Sequence, residues 1–197
     1  FTIFIGFSLF WLLNKYNFFY YIITVSKKRG DDHIYLTETV KLRLTKDQNK
    51  LIREAMNLYI KAVNDTVQEA FTGTSIKKYS SKDIKAELPS AVRAQVAQDA
   101  RSVLTKYRKD CHKAVLHNRK HPETIHKRNA PVLKRPVCYW NNQNFKIQGN
   151  ILRFPLIESG KSTVQQVEMI HTKRQDELFI AYPLAMILRG RGAAAGG

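Results

Sequence analysis

TVKLRLTKDQ, residues 39–48, carries a strand pattern straight into a helix start. Val40, Leu42 and Leu44 alternate with Lys41 and Arg43, the two-residue period of a strand with one face buried. Thr45 and Gln48 then have the spacing of a capping box, in which each side chain satisfies a free amide at the helix start. Ile52, Met56, Tyr59, Val63, Val67 and Ala70 continue as one helical stripe, which Phe71-Thr72-Gly73 brings to an end.

Ser80 and Ser81 are predicted to open a short helix over KDIKAEL (82–88), and Leu88-Pro89-Ser90 a longer one. At helical pitch Val92, Val96, Ala100, Val103, Tyr107 and Cys111 share a face. Arg93, Arg101, Arg108 and His112 cluster in a second arc, centred more than about 90° around the helix from the first. Residues 101–136 hold eleven Lys or Arg against two acids, so the positive charge runs beyond the helix into the next loop. Such a run favours a surface that follows phosphates over an ordinary solvated face.

After Pro131 and Pro136 the pattern turns to β. Candidate strands are 137–140, 144–148, 151–156, 163–171 and 177–182, with tight turns at Gly149-Asn150 and at 173–176. With TVKLRL they could close around Phe145, Ile147, Leu152, Phe154, Val164, Val167 and Ile180. The expected fold class is α+β: a small antiparallel, OB-like β-barrel with an inserted helical lobe. The barrel takes 37–44 and 131–182, and the lobe takes 45–130.

The two ends differ from this middle. Residues 1–36 form a leader whose first 25 residues are almost wholly apolar and aromatic, with Lys15 near their centre. The leader reads as translated sequence upstream of the true start, or alternatively as a membrane anchor with Lys27-Lys28-Arg29 on the cytoplasmic side. Residues 183–197, ending in RGRGAAAGG, read as an unstructured tail. Cys111 and Cys138 are too few for a secreted disulfide framework, so a reducing cytoplasm is expected, with membrane tethering left open.

Thirty-three Lys plus Arg against sixteen Asp plus Glu leave a net charge of +17, which calls for a polyanionic partner. Nucleic acid comes first and acidic lipid second. Enzyme signatures fail one by one. Ser159-Gly160-Lys161-Ser162-Thr163 has Pro155 where a phosphate loop needs its first glycine, and it joins strands. Cys111, His112, His117, His121, His126 and Cys138 supply no accepted zinc spacing, and Pro122 follows the His117/His121 pair at once. Asp47, Glu54, Asp65 and Glu69 read as exposed helix charge, and His33-Ile34-Tyr35 is not a His-hydrophobic-His triplet. No catalytic residue and no metal ligand is expected. Tyr139-Trp140-Asn141-Asn142 offers rings that could stack on bases or fill a core, and amides that are either turn residues or readers of base edges.

Three stretches together carry a resemblance: TVKLRL followed by TKDQNKLIREAMNLYIKAVN, then LPSAVRAQVAQDARSVLTKY, then PVLKRPVCYWNNQNFKIQGNILRFPLI. In order and separation they resemble TnpB, an insertion-sequence protein family of transposable elements, described as transposases and related to type V CRISPR effectors. The likeness spans about 38–182. It implies an RNA-guided DNA endonuclease whose barrel is a wedge domain and whose helices are a recognition lobe. Together these hold a structured guide RNA and read a short motif in duplex DNA.

By motif position, Tyr79, Ser90, Gln95, Asn141 and Asn142 would lie along that duplex. Lys41, Arg43, Arg93, Arg101, Arg108, Lys134 and Arg135 would contact nucleic-acid backbone, although Arg93 departs from the uncharged residue usual at its place. Where the family continues from a strand like DELFIAY into its nuclease domain, this chain runs into PLAMILRGRGAAAGG. The expectation is therefore a truncated, RNA- and DNA-binding fragment without cleavage, lacking the family's divalent-metal and zinc sites and any cofactor. The alternatives are a membrane-tethered basic protein and a nucleic-acid-binding barrel unrelated to transposons.

Overall fold

The computed structural model describes residues 17–29, 32–135, 137–140, 144–170 and 184–189; side chains are described within 40–170. The Thr45 junction forms as its sequence dictates. Strand β2 (Asp32–Leu44) buries Val40, Leu42 and Leu44 and exposes Lys41 and Arg43. Helix α1 (Lys46–Phe71) starts on a complete capping box, with Thr45 Oγ1 accepting from the Gln48 amide and Gln48 Oε1 accepting from the Thr45 amide. Gln48 also donates through Nε2 to the Gln166 carbonyl at 2.9 Å, which ties the helix start to the sheet. Past Thr72 the chain turns at Gly73, whose φ of 100° suits a residue without Cβ.

Helix α2 (Ser90–Lys120) opens after Pro89 as expected and stops before Pro122. KDIKAEL does not form the predicted helix. Asp83 instead draws its carboxylate onto the Ser80 amide and hydroxyl, giving a string of turns anchored by buried Ile84 and Leu88. Seven residues between a serine-led turn and a proline offer too few hydrogen bonds to repay helix nucleation.

The molecule is α+β, and its strands form an antiparallel sheet in the order β3-β7-β1-β2-β6-β5-β4. The remaining strands are β1 (Asn17–Arg29), β3 (Val137–Trp140), β4 (Lys146–Gln148), β5 (Ile151–Glu158), β6 (Lys161–Ile170) and β7 (Leu184–Arg189). The expected closed barrel is not formed: β3 and β4 end the order, and no pairing among the described residues joins them. The physical reason is a competing cover for the apolar face. Ile52, Met56, Tyr59 and Val63 of α1 share one core with Leu42, Leu152, Phe154, Val167 and Met169 of the sheet. A sheet that buries one face under a helix gains little from curling onto itself.

Two segments set outside the fold carry strands. Residues 17–29 of the leader pair with β2 from Asn17↔Leu44 to Arg29↔Asp32. Residues 184–189, within the expected tail, pair with both β1 and β3. Both are rich in aromatic, β-branched or other apolar residues, which suit a pleated surface better than solvent. Among the described residues no helix is long and apolar enough to cross a membrane.

Within the sheet, Val164 proves 65% exposed, against the expectation that it joins Val167 in the core. Residues three apart on a strand face opposite sides, and Val167 with Met169 takes the inner one. Ile180 and the expected strand 177–182 lie outside the described residues, as does the 173–176 turn.

Candidate nucleic-acid interface

The long helix α2 is two-faced. Its inner side buries Val92, Val96, Ala97, Ala100 and Leu104 against α1 and the sheet. Opposite it, the seven lysines and arginines from Arg101 to Lys120 fall within an arc of about 160°, along about 28 Å of axis. Lys106, Arg108, Lys109, Lys113, Arg119 and Lys120 are exposed, and none is paired with a described carboxylate. The salt bridges among the described residues are Arg43–Glu168 and His121–Glu123. An open depression of about 440 Å³ lies on this face, lined by Gln98, Arg101, Ser102, Thr105, Lys106 and Lys109.

The expected backbone-contact residues differ in how free they are. Arg108, Lys134 and Arg135 are exposed. Arg101 is half-buried and donates through Nη1 to the Tyr79 carbonyl at 2.9 Å, so it also fastens the turn segment to the helix. Arg93 sits nearer the buried stripe, and its Nε is enclosed without a hydrogen-bond partner. On β2, Arg43 donates to Glu168 Oε2 at 2.8 Å across the β2–β6 pair, beside exposed Lys41.

Among the expected readers, Ser90 is exposed at the first position of α2. Tyr79 donates its hydroxyl to Glu69 Oε2 at 2.8 Å, and this bond raises the phenol's pKa. Gln95 donates through Nε2 to Asp99 Oδ1 at 2.9 Å. Asn141 and Asn142 lie outside the described residues. The fold thus joins Tyr79 to Arg101, but gathers the remaining candidates only as parts of α2, β2 and the loop before β3.

Trp140 is a core residue and no stacking platform. It is 2% exposed, packs its ring edge-on to Phe154 at 5.3 Å and donates Nε1 to the Pro155 carbonyl at 3.2 Å. Tyr139 is half-buried and lies 5.8 Å from the Tyr59 ring.

Three supporting residues escape a reading of local pattern. Tyr59, on the inner stripe of α1, donates its hydroxyl to Asp99 Oδ2 at 2.6 Å. Burial first, and then the neighbouring Asp99, push that phenol's pKa far up, so it remains a donor. Asn64 holds the loop before β3 by bonding both backbone groups of Leu133. Only a polar residue interrupting a buried stripe could have flagged Asn64. The exposed Lys106, Lys109 and Lys113 were legible from helical angle alone.

At the far end of α2, His117 stacks on His126 with centroids 4.0 Å apart and lies 4.9 Å from His121. Asn118 clamps this fold-back by bonding the His126 carbonyl and amide. Among the described residues no group of three or more His, Cys, Asp or Glu side chains is arranged to hold a metal ion. No family model, curated protein or solved structure matches this chain.

Proposed function

We propose that this protein binds nucleic acid along the cationic face of α2 and the loop leading to β3, gripping the phosphates of structured RNA and of duplex DNA. One observation carries the reading: a row of cations on one side of a helix, unpaired with described carboxylates. Charges left unneutralised at close spacing repel one another, and a polyanion relieves that repulsion while releasing its counterions. The likeness to TnpB supplies the finer proposal, a nucleic-acid-binding part of an RNA-guided endonuclease in which α1 and α2 form the recognition lobe. On that reading binding, not cleavage, is the task of these residues.

The test is fluorescence anisotropy with a labelled RNA hairpin and a labelled DNA duplex over a range of salt. Each lost phosphate contact flattens the log–log salt slope by about 0.9 on a duplex. The triple variant Arg108→Ala, Lys109→Ala and Lys113→Ala is expected to flatten it by about 2–3 units. All three side chains are exposed, so the fold should survive. An unchanged slope removes this face as the binding surface, and absence of binding by the wild type removes the function.

A further inference from the structure

After α2 the chain reverses, and the returning segment 121–130 is fastened to the helix end it has just left. Asn118 holds both backbone groups of His126, its Oδ1 accepting from the amide at 2.8 Å and its Nδ2 donating to the carbonyl at 3.1 Å. Tyr107 adds a longer bond to the Arg128 carbonyl at 3.4 Å. The rings of His117 and His126 stack almost parallel, with centroids 4.0 Å and planes 8° apart. Every residue from His121 to Ala130 is exposed, so these contacts hold the segment and burial does not.

The stack suits neutral rings. His117 Nδ1 is enclosed and has no hydrogen-bond partner. A neutral imidazole can leave one nitrogen as a bare lone pair, whereas the charged ring carries a donor on both. An unmet bond costs more when its group is charged. The surroundings add to that cost. On α2, Lys113 and Lys120 lie within one turn of His117 by helical spacing, and Asp110 two turns back. On the segment, Lys127 and Arg128 follow His126 directly. The nearby acid Glu123 is engaged by His121 Nδ1 at 3.2 Å, and no described carboxylate pairs with His117 or His126.

We infer that the His117–His126 stack is a pH-sensitive latch: neutral, it holds segment 121–130 on α2, and proton uptake at His117 releases that segment. Asn64 keeps the far end anchored through Leu133. Imidazole changes charge between about pH 5 and pH 8. The latched state binds fewer protons than the open one, so closure is complete at the upper end of that range and is lost as pH falls. Release carries Lys127 and Arg128 away from α2 and redistributes the cations at this end of the molecule. The latch is independent of the nucleic-acid reading.

The experiment is amide hydrogen exchange of the full chain by NMR, each rate being compared with the intrinsic rate at the same pH. Protection of the His126 amide should fall at least about fivefold between about pH 7.5 and about pH 5.5. The Leu133 amide should keep its protection over the same range. His117→Phe retains a flat ring for His126 to stack on but no nitrogen to charge, so its His126 amide should stay protected at both pH values. His121→Phe should show the wild-type fall, because that ring is exposed and bonds Glu123 instead.

A His126 amide equally protected at both pH values overturns the inference. So does a His117→Phe protein whose His126 protection falls as in the wild type, or a His121→Phe protein in which the fall disappears. A parallel fall at Leu133 overturns it too, since that is general unfolding and no local release. The two wild-type amides decide the matter even if a variant does not fold.

Discussion

Asn64 and Leu133 hold each other through two hydrogen bonds across 69 residues of sequence: Asn64 Nδ2 donates to the Leu133 carbonyl at 3.0 Å, and the Leu133 amide donates to Asn64 Oδ1 at 2.9 Å. A side-chain amide from α1 thus serves a loop backbone as a neighbouring strand would. Lys134 and Arg135 follow at once, so two exposed cations rise from a fixed point. On the proposed function, fixing them before binding removes part of the ordering cost of phosphate contact.

Asn64→Ala leaves both backbone groups of Leu133 without their partner. The expected loss is about 2 kcal/mol, read as a fall of roughly 4–8 °C in Tm for a chain of this size. Asn64→Asp keeps the acceptor but sets a carboxylate against the Leu133 carbonyl, and should not rescue. Retained stability in Asn64→Ala would mean that solvent serves Leu133 equally well.

Trp140→Phe tests the core beneath β5. The substitution removes the Nε1 donor from the Pro155 carbonyl and part of the packing on Phe154. A loss of about 2–3 kcal/mol is expected in urea unfolding. RNA and DNA affinities of the folded variant should not change, since the ring does not reach a ligand. A selective loss of affinity would return Trp140 to the surface.

Thr45→Ala removes one half of the capping box and should cost about 1 kcal/mol, with Thr45→Ser close to wild type. Gln48→Ala should cost more, because Gln48 serves both the Thr45 amide and the Gln166 carbonyl. Thermal melts of the three variants decide the order.

The Ser80–Asp83 turn should respond to acid. Bonds from the Ser80 amide and hydroxyl hold the Asp83 pKa below its usual value. The folded pKa therefore lies beneath the unfolded one. The turn's stabilisation is intact above the ordinary carboxylate value of about 3.9, and is lost as pH falls through the lowered folded value. The Ser80 amide resonance should move with Asp83 as pH falls through that window, and should stay still in Asp83→Asn. A Ser80 resonance titrating near or above the ordinary value would contradict the assignment.

Much of the helical part was legible from order alone. Thr45, Gln48, Gly73 and Pro89 mark boundaries through bonds or conformations that act within a few residues, and the chain obeys them. The hairpin turn at Gly149 was legible for the same reason, its φ of 56° following the glycine in QGN. The β1–β2 hairpin is not legible in this way, because an apolar, aromatic leader reads as translated sequence upstream of the start, or as an anchor, before it reads as a strand. Val164 faces outward because strand parity, set by Val167 and Met169 on the inner face, outweighs its hydrophobicity.

Sequence by itself determined the elements that depend on near neighbours: the strand running into a capped helix, the stripe that packs, and the opposing stripe of positive charge. Tertiary structure decided what depended on distant partners. It put Trp140 in the core, set Arg43 on Glu168, gave Asp99 to Tyr59 and left the sheet covered by α1 rather than closed. The physical reason is range. Periodicity and capping register within a turn or two of chain, whereas a buried ring or carboxylate is satisfied by whichever residue the whole fold brings to it.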